Sequence, residues 1–150
     1  MNASHARAGH WIRQGIFDDL EAFSSLEERV NLLTEEKDRG DVFEIFIEGY
    51  LATQAITQHS QHWVVGKIPP SVREQHQLPS DGTGIDGVYE TADGTNVAYQ
   101  VKYRQKRHLT YGEVSSFLGI TERFSERVIF TNAMSLSRIA AKRTRWVNGE

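Results

Sequence analysis

Residues 84–104 read GIDGVYETADGTNVAYQVKYR, and this stretch constrains the fold more than any other part of the chain. Val97, Tyr99, Val101 and Tyr103 alternate with Ala98, Gln100 and Lys102, which is the period of a β-strand with two unlike faces. An amide and an ammonium thus share a strand face that core packing alone gives no reason to be polar. Residues 85–90 read as the partner strand, with Asp86 set between apolar or small neighbours. The turn between them sets the register. A two-residue loop at Asp93-Gly94 pairs Asp86 with Val101, on the wrong face. A three-residue loop, Ala92-Asp93-Gly94 with Gly94 in the left-handed region, pairs Asp86 with Gln100. The second arrangement, or a bulge with the same effect, is expected, and it brings Asp86, Gln100 and Lys102 together.

The chain has 150 residues, and neither Gly nor Pro is enriched, so one domain with its own core is expected. Residues 1–36 read as a helical extension and residues 37–150 as a single globular unit. There is no cysteine, which excludes disulfides and thiolate zinc sites and fits a reducing compartment. The first residues hold no long apolar run, so neither a signal peptide nor a membrane span is expected, and a cytoplasmic location is the default. The net charge of −3 is unevenly placed. Residues 1–100 carry 7 Lys+Arg against 16 Asp+Glu, and residues 101–150 carry 10 against 4. A basic final third on an acidic body fits one face meeting a polyanion as well as it fits plain solvated surface.

Trp11, Ile12, Ile16 and Phe17 are too apolar for a free tail and predict a docked segment, while His5 and His10 show no metal-ligand spacing. Residues 18–36 read as one or two helices, with Ser25 and Glu28 spaced as a capping box and Leu26, Val30 and Leu33 as the buried stripe. Residues 37–40 then break the helix, and Asp41 caps the next one, which runs to about residue 58. Its buried face is Phe43, Phe46, Ile47, Tyr50 and Leu51. Glu44 lies at the edge of that stripe, about 20° past Leu51, where an acid can aim into the seam between helix and sheet, and Glu48 lies further round, towards solvent.

Residues 63–68 read as a strand ended by Pro69-Pro70, and residues 71–80 as polar and irregular. Beyond Tyr103 comes a basic loop, Arg104-Gln105-Lys106-Arg107. Thr110 and Glu113 form a second capping box, and Val114, Phe117, Leu118, Thr121 and Phe124 face the core. Residues 127–131 read as a central strand and residues 136–146 as a last helix with Arg138, Lys142 and Arg145 on a basic face. The order is helix, strand, strand, strand, helix, strand, helix. A hairpin plus a right-handed strand–helix–strand crossover gives an α/β (α+β) fold, a central mixed sheet flanked by helices.

Asp86 followed on the adjacent strand by Gln100-x-Lys102 resembles the signature of the PD-(D/E)xK nucleases. GIDGV at residues 84–88 and QVKYR at residues 100–104 are similar to the Mrr-like branch, the nuclease domains of restriction enzymes that are often fused to helicases. RGDVFE at residues 39–44 resembles the helix motif that precedes the sheet in that branch. The resemblance spans roughly residues 37–143 and implies a restriction-endonuclease-like αβββαβ core. It also implies DNA as substrate, Mg²⁺-dependent phosphodiester hydrolysis with Mn²⁺ able to substitute, and a larger restriction or helicase–nuclease protein. A fused or separate helicase or specificity module and a homodimer are the implied partners.

Carried over residue by residue, Asp86 anchors the metal, and Gln100 gives its amide oxygen and Val101 its carbonyl. Glu44 holds a second ion, or the first through water, and Lys102 orients or activates the attacking water. Asp81 competes for the anchoring role, but Asp86 lies on the strand in the GID context. Arg104, Lys106, Arg107, Arg138 and Lys142 would meet the DNA. Gln100 stands where many members carry Glu or Asp. A neutral amide is the weaker Mg²⁺ ligand, so one-metal occupancy is favoured, and a catalytically inactive nucleic-acid-binding module with this fold is the alternative. No GxxxxGK[ST] loop, no strand-to-helix GxGxxG and no HExxH are present, which leaves ATPase, dinucleotide and zincin chemistry without support.

Overall fold

Helix α3 (Glu36–Gln58) is the central element of the computed structural model. The structure describes residues 5–58, 60–79, 84–104, 108–133, 135–136 and 145–147, with the backbone alone at residues 56, 57, 135, 136 and 145–147. Before α3 come α1 (Ala8–Arg13) and α2 (Phe23–Asn31). After it come β1 (His62–Val64), a 3-10 turn (Val65–Lys67), α4 (Pro70–His76), β2 (Gly87–Glu90) and β3 (Asn96–Lys102). The remainder is β4 (His108–Leu109), α5 (Tyr111–Ile120), β5 (Glu126–Thr131), β6 (Ser135–Leu136) and β7 (Arg145–Val147).

Five strands form a mixed sheet in the order β1-β2-β3-β5-β7, and β4 pairs with β6 apart from it. β1, β2 and β3 are antiparallel neighbours, whereas β3, β5 and β7 are parallel. The β3–α5–β5 step is the crossover that the sequence order requires. Alternation along β3 divides the core. Val97, Tyr99 and Tyr103 join Trp11, Leu26, Val30, Val42, Phe43, Ile45 and Ile47 on the side of α1–α3. Ala98 joins Val72, Val114, Phe117 and Leu118 on the side of α4 and α5. The fold is thus the expected mixed α/β arrangement, helices on both faces of one sheet.

The hairpin took the longer loop. Thr91 donates to the Thr95 carbonyl at 2.9 Å, and Gly94 has φ +86°. Gly87 pairs with Tyr99, as the longer loop requires, and the Asp86 N–H also reaches the Tyr99 carbonyl at 3.0 Å, so the regular ladder ends at Gly87, one residue short of an Asp86–Gln100 pair.

Several local expectations are corrected. Ser25 does not cap α2, which starts at Phe23 after an extended Ala22; Phe23 packs on Phe43 and Phe46, and drawing it into the first turn puts Ser25 inside the helix. Residues 37–40 do not break a helix. They open α3, where Lys37 reaches Asp41 one turn on at 2.9 Å and Arg39 donates back to the Leu33 carbonyl at 2.8 Å. Asp41 is accordingly a helix-interior residue and not a cap. Tyr50 is 49% exposed, Phe46 is only partly buried, and Glu48 is 3% exposed instead of facing solvent. The cause is that α3 is covered twice, by the sheet on one side and by α1 and α2 on the other, so burial runs most of the way round it.

Residues 70–76 are helical because Pro70 opens a first turn that needs no N–H from it, and Val72 and His76 bury. The strand expected over residues 63–68 stops at Val64. Leu136 lies in β6, and Arg145 and Trp146 lie in β7, pairing with β5, so a helix does not run over residues 136–146. The stretch between those strands, with Arg138 and Lys142, lies outside the described residues, as do Asp81, Lys106 and Arg107.

Candidate active site

β2 gives out at Gly87, so the last N–H groups of β3 need another acceptor. Asp86 supplies it: its Oδ2 takes the Val101 N–H at 2.7 Å. The carboxylate is thereby fixed against the strand that carries Gln100 and Lys102. Gln100 is 8% exposed; its amide nitrogen donates to the Gly84 carbonyl at 3.2 Å, and its Oε1 is buried without a hydrogen-bond partner.

Glu44 comes from α3, and its carboxyl lies close enough to that of Asp86 for each to act on the other's ionisation. Burial pushes the Glu44 carboxyl up to about 8, helped by the charges of Asp86, Glu48 and Asp41. Burial likewise pushes Asp86 up, opposed by the Val101 N–H and by the positive charge of Lys102. Glu48, one turn beyond Glu44, is pushed up to about 7 by burial and by Asp86. Three acids are therefore crowded into one buried region with Lys102 as the cation acting on Asp86. Such crowding is costly for the bare protein and is the ordinary setting of a cation site.

Asp41 does not belong to this repulsive group in the same way. Burial raises its carboxyl, but hydrogen bonds from Lys37 and Arg7 outweigh that and hold it below its usual value. His5, on the docked N-terminal segment, brings Nε2 to 3.6 Å from Asp41 and 3.9 Å from Glu44. On the face of β3 that packs against α3, the Tyr99 hydroxyl bonds to His62 Nε2 at 2.9 Å, and burial holds His62 down to about 4.

Glu44 and Val101 are thus brought to Asp86, with Lys102 close enough to bias it, and Gln100 is held to the Gly84 carbonyl two residues before Asp86. Arg104 is turned inward. Its Nε donates to Glu113 at 2.6 Å, its Nη1 to the Tyr103 carbonyl at 2.7 Å, and its backbone N–H to Asn132 at 2.6 Å. Two neighbours were missed in the sequence, Glu48 and His5. The signal for Glu48 was present: between Val42 and Leu51 the only charged residues are Glu44 and Glu48, four apart in an apolar run.

A family model described as a restriction endonuclease, of the Mrr type, matches residues 47–146. The chain belongs to this Mrr-like restriction endonuclease family. Asp86, Gln100, Val101 and Lys102 fall within the match, which begins three residues after Glu44. No curated protein and no solved structure matches the chain. As a member of a restriction endonuclease family this domain is a DNA-cleaving hydrolase by class, and the family generally uses divalent metals. The residues present fit such an ion. Asp86 and Glu44 are hard oxygen donors, Gln100 Oε1 is a buried oxygen that nothing else satisfies, and neighbouring acids supply the charge that a divalent cation neutralises.

Proposed function

We propose that this restriction endonuclease domain hydrolyses DNA phosphodiester bonds with Mg²⁺, Mn²⁺ being able to substitute, at a site made of Asp86, Glu44, Gln100 and Lys102. The observation that carries this reading is the convergence of Glu44 on Asp86 from a separate helix, beside the unpartnered Gln100 Oε1. A bound Mg²⁺ would polarise the phosphate and lower the pKa of a bound water.

Asp86 offers the anchoring oxygen, since the Val101 N–H occupies one side of its carboxylate and holds it still. Glu44 offers a second acidic oxygen, Gln100 a neutral one, and the Val101 carbonyl completes the strand's contribution. Lys102 offsets phosphate charge and orients the attacking water. The amide of Gln100 makes the donor set less negative than a Glu would, which favours occupancy by one ion. Lys106, Arg107, Arg138 and Lys142 are assigned to the DNA backbone on charge grounds, and Arg104 serves the site by ordering the chain beside it. A helicase or specificity module, fused or separate, and a homodimer able to cut both strands are the partners this reading calls for.

The test is cleavage of supercoiled and single-stranded DNA in Mg²⁺, Mn²⁺ and EDTA, with Lys102→Ala alongside. Metal-dependent nicking that disappears in the variant is the expected result. A folded wild-type domain that binds DNA but never nicks it would instead support the inactive binding module.

A further inference from the structure

Resting on that metal-site reading, we infer that Glu48 is a positioning residue of the centre, its free carboxylate oxygen accepting a hydrogen bond from a water carried by the ion. Glu48 is 3% exposed, and its Oε2 is buried with no hydrogen-bond partner. The backbone N–H of His5 lies near enough to its carboxylate to favour the ionised form. Among the described residues no Lys, Arg or His forms an ion pair with it. A buried carboxylate left so is unfavourable whether ionised or protonated, because the proton would find no acceptor at Oε2. It lies one helical turn beyond Glu44, its charge acts on Glu44 and the charge of Asp86 acts on it, which places it beside the centre and not elsewhere in the core.

The hydration of Mg²⁺ argues for a water between Glu48 and the ion. The described acids and histidines that bring three ligand atoms within 4.8 Å of one another are His5, Asp41 and Glu44, and neither Asp86 nor Glu48 is in that group. That trio is itself a poor cation site. His5 Nδ1 accepts the Arg7 N–H at 3.1 Å, so the Nε2 facing the acids carries the proton, and Asp41 is already held by Lys37 and Arg7. Mg²⁺ keeps several of its waters, and those waters need acceptors. Glu48 Oε2 is an acceptor with nothing else to do, and His5 of the docked N-terminal segment lies beside its carboxylate. That segment lies outside the family match, so this chain supports its metal site from beyond the shared core.

The experiment is calorimetric titration of the full chain with Mg²⁺ and with Mn²⁺, together with thermal melting in EDTA, for wild type, Glu48→Gln, Glu48→Asp and Glu48→Met. Loss of an outer hydrogen-bond partner typically weakens metal binding about 10–100-fold, and that loss is expected for Gln and Met, with partial rescue by Asp. In EDTA the Gln and Met variants should melt higher than wild type, since they remove a buried charge. Met, apolar and of similar volume, keeps the comparison valid if Gln folds poorly. Variants that bind both ions within twofold of wild type, or that melt lower in EDTA, overturn the inference while leaving the active site proposed above in place. A folded wild-type protein that binds neither ion overturns that active site, and this inference with it.

Discussion

Asp86 Oδ2 accepts the Val101 backbone N–H at 2.7 Å, and through that bond the loop before β2 is locked to the strand that bears Gln100 and Lys102. The bond forms because β2 stops pairing one residue too early to satisfy β3. A gap in the sheet ladder and the acid proposed to anchor the metal are therefore one feature: the strand end needs an acceptor, and the acceptor it receives is held rigid. Preorganisation of this kind lets a carboxylate bind an ion without first losing side-chain freedom.

Asp86→Asn separates the two roles. Asn keeps a carbonyl oxygen for the Val101 N–H, so the hairpin should survive and the metal-free protein should melt no lower than wild type. The anchoring charge is gone, however, and DNA nicking in Mg²⁺ should fall by at least about a hundredfold, at the upper end of what even indirect partners of a metal contribute. Nicking rates and melting curves on the same preparation check both halves. An Asn variant that cuts at the wild-type rate removes Asp86 from the site.

The crowded acids make the metal-free protein pH-sensitive in a defined direction. Glu44 is pushed up to about 8 and Glu48 to about 7, each from an ordinary value near 4.5. An acid raised in the folded state holds its proton more tightly there than in the unfolded chain. It favours folding at low pH, and that advantage is lost as pH rises through the folded pKa. His62, held down to about 4, works the other way, but only below its ordinary value of 6.5. Between about pH 6.5 and 8.5 the acids act alone, so melting in EDTA should fall across that window, by on the order of 3 kcal/mol given about 1.4 kcal/mol per pKa unit. Saturating Mg²⁺ should flatten the decline. Melting temperatures that hold steady or climb from pH 6.5 to 8.5 in EDTA would count against the crowding.

The parts of this site that were legible in the sequence are those set by short-range rules. Alternation fixed which side of β3 bears Gln100 and Lys102, and Gly94 after Ala92-Asp93 fixed the loop length and hence the place of Asp86. The capping relation of Thr110 and Glu113 was local too: Glu113 accepts the Thr110 N–H at 2.9 Å. Burial opposes its ionisation, but that bond and the one from Arg104 hold the Glu113 carboxyl down at about 2. Glu48 and His5 were not legible because their surroundings come from elsewhere in the chain. A stripe drawn for a helix covered on one side leaves Glu48 outside it. Only the docking of α1 and α2 on the far side of α3 buries it, and nothing in the spacing of Trp11, Leu26 and Val30 announces which element they will cover.

Gly87 tests the support beneath the site. A Cβ there would lie 2.5 Å from the Tyr99 hydroxyl and 2.6 Å from the Trp63 carbonyl. The phenol cannot retreat easily, since Tyr99 is fully buried and its hydroxyl is bonded to His62 at 2.9 Å. The Trp63 oxygen is backbone, held in the β1–β2 ladder where Trp63 pairs with Val88. Gly87→Ala must therefore push β1 away or expel Tyr99, and overpacking of this order costs about 1–3 kcal/mol. The upper part of that range is expected, because both obstructing atoms are fixed. Urea denaturation should show the midpoint falling with little change in slope. Gly112→Ala, at a position in α5 where an added Cβ meets nothing within 4 Å, should leave stability unchanged or slightly raised. If Gly87→Ala proved as harmless as Gly112→Ala, the Tyr99 hydroxyl could not lie across Gly87 as described, and the first glycine after Asp86 would need another explanation.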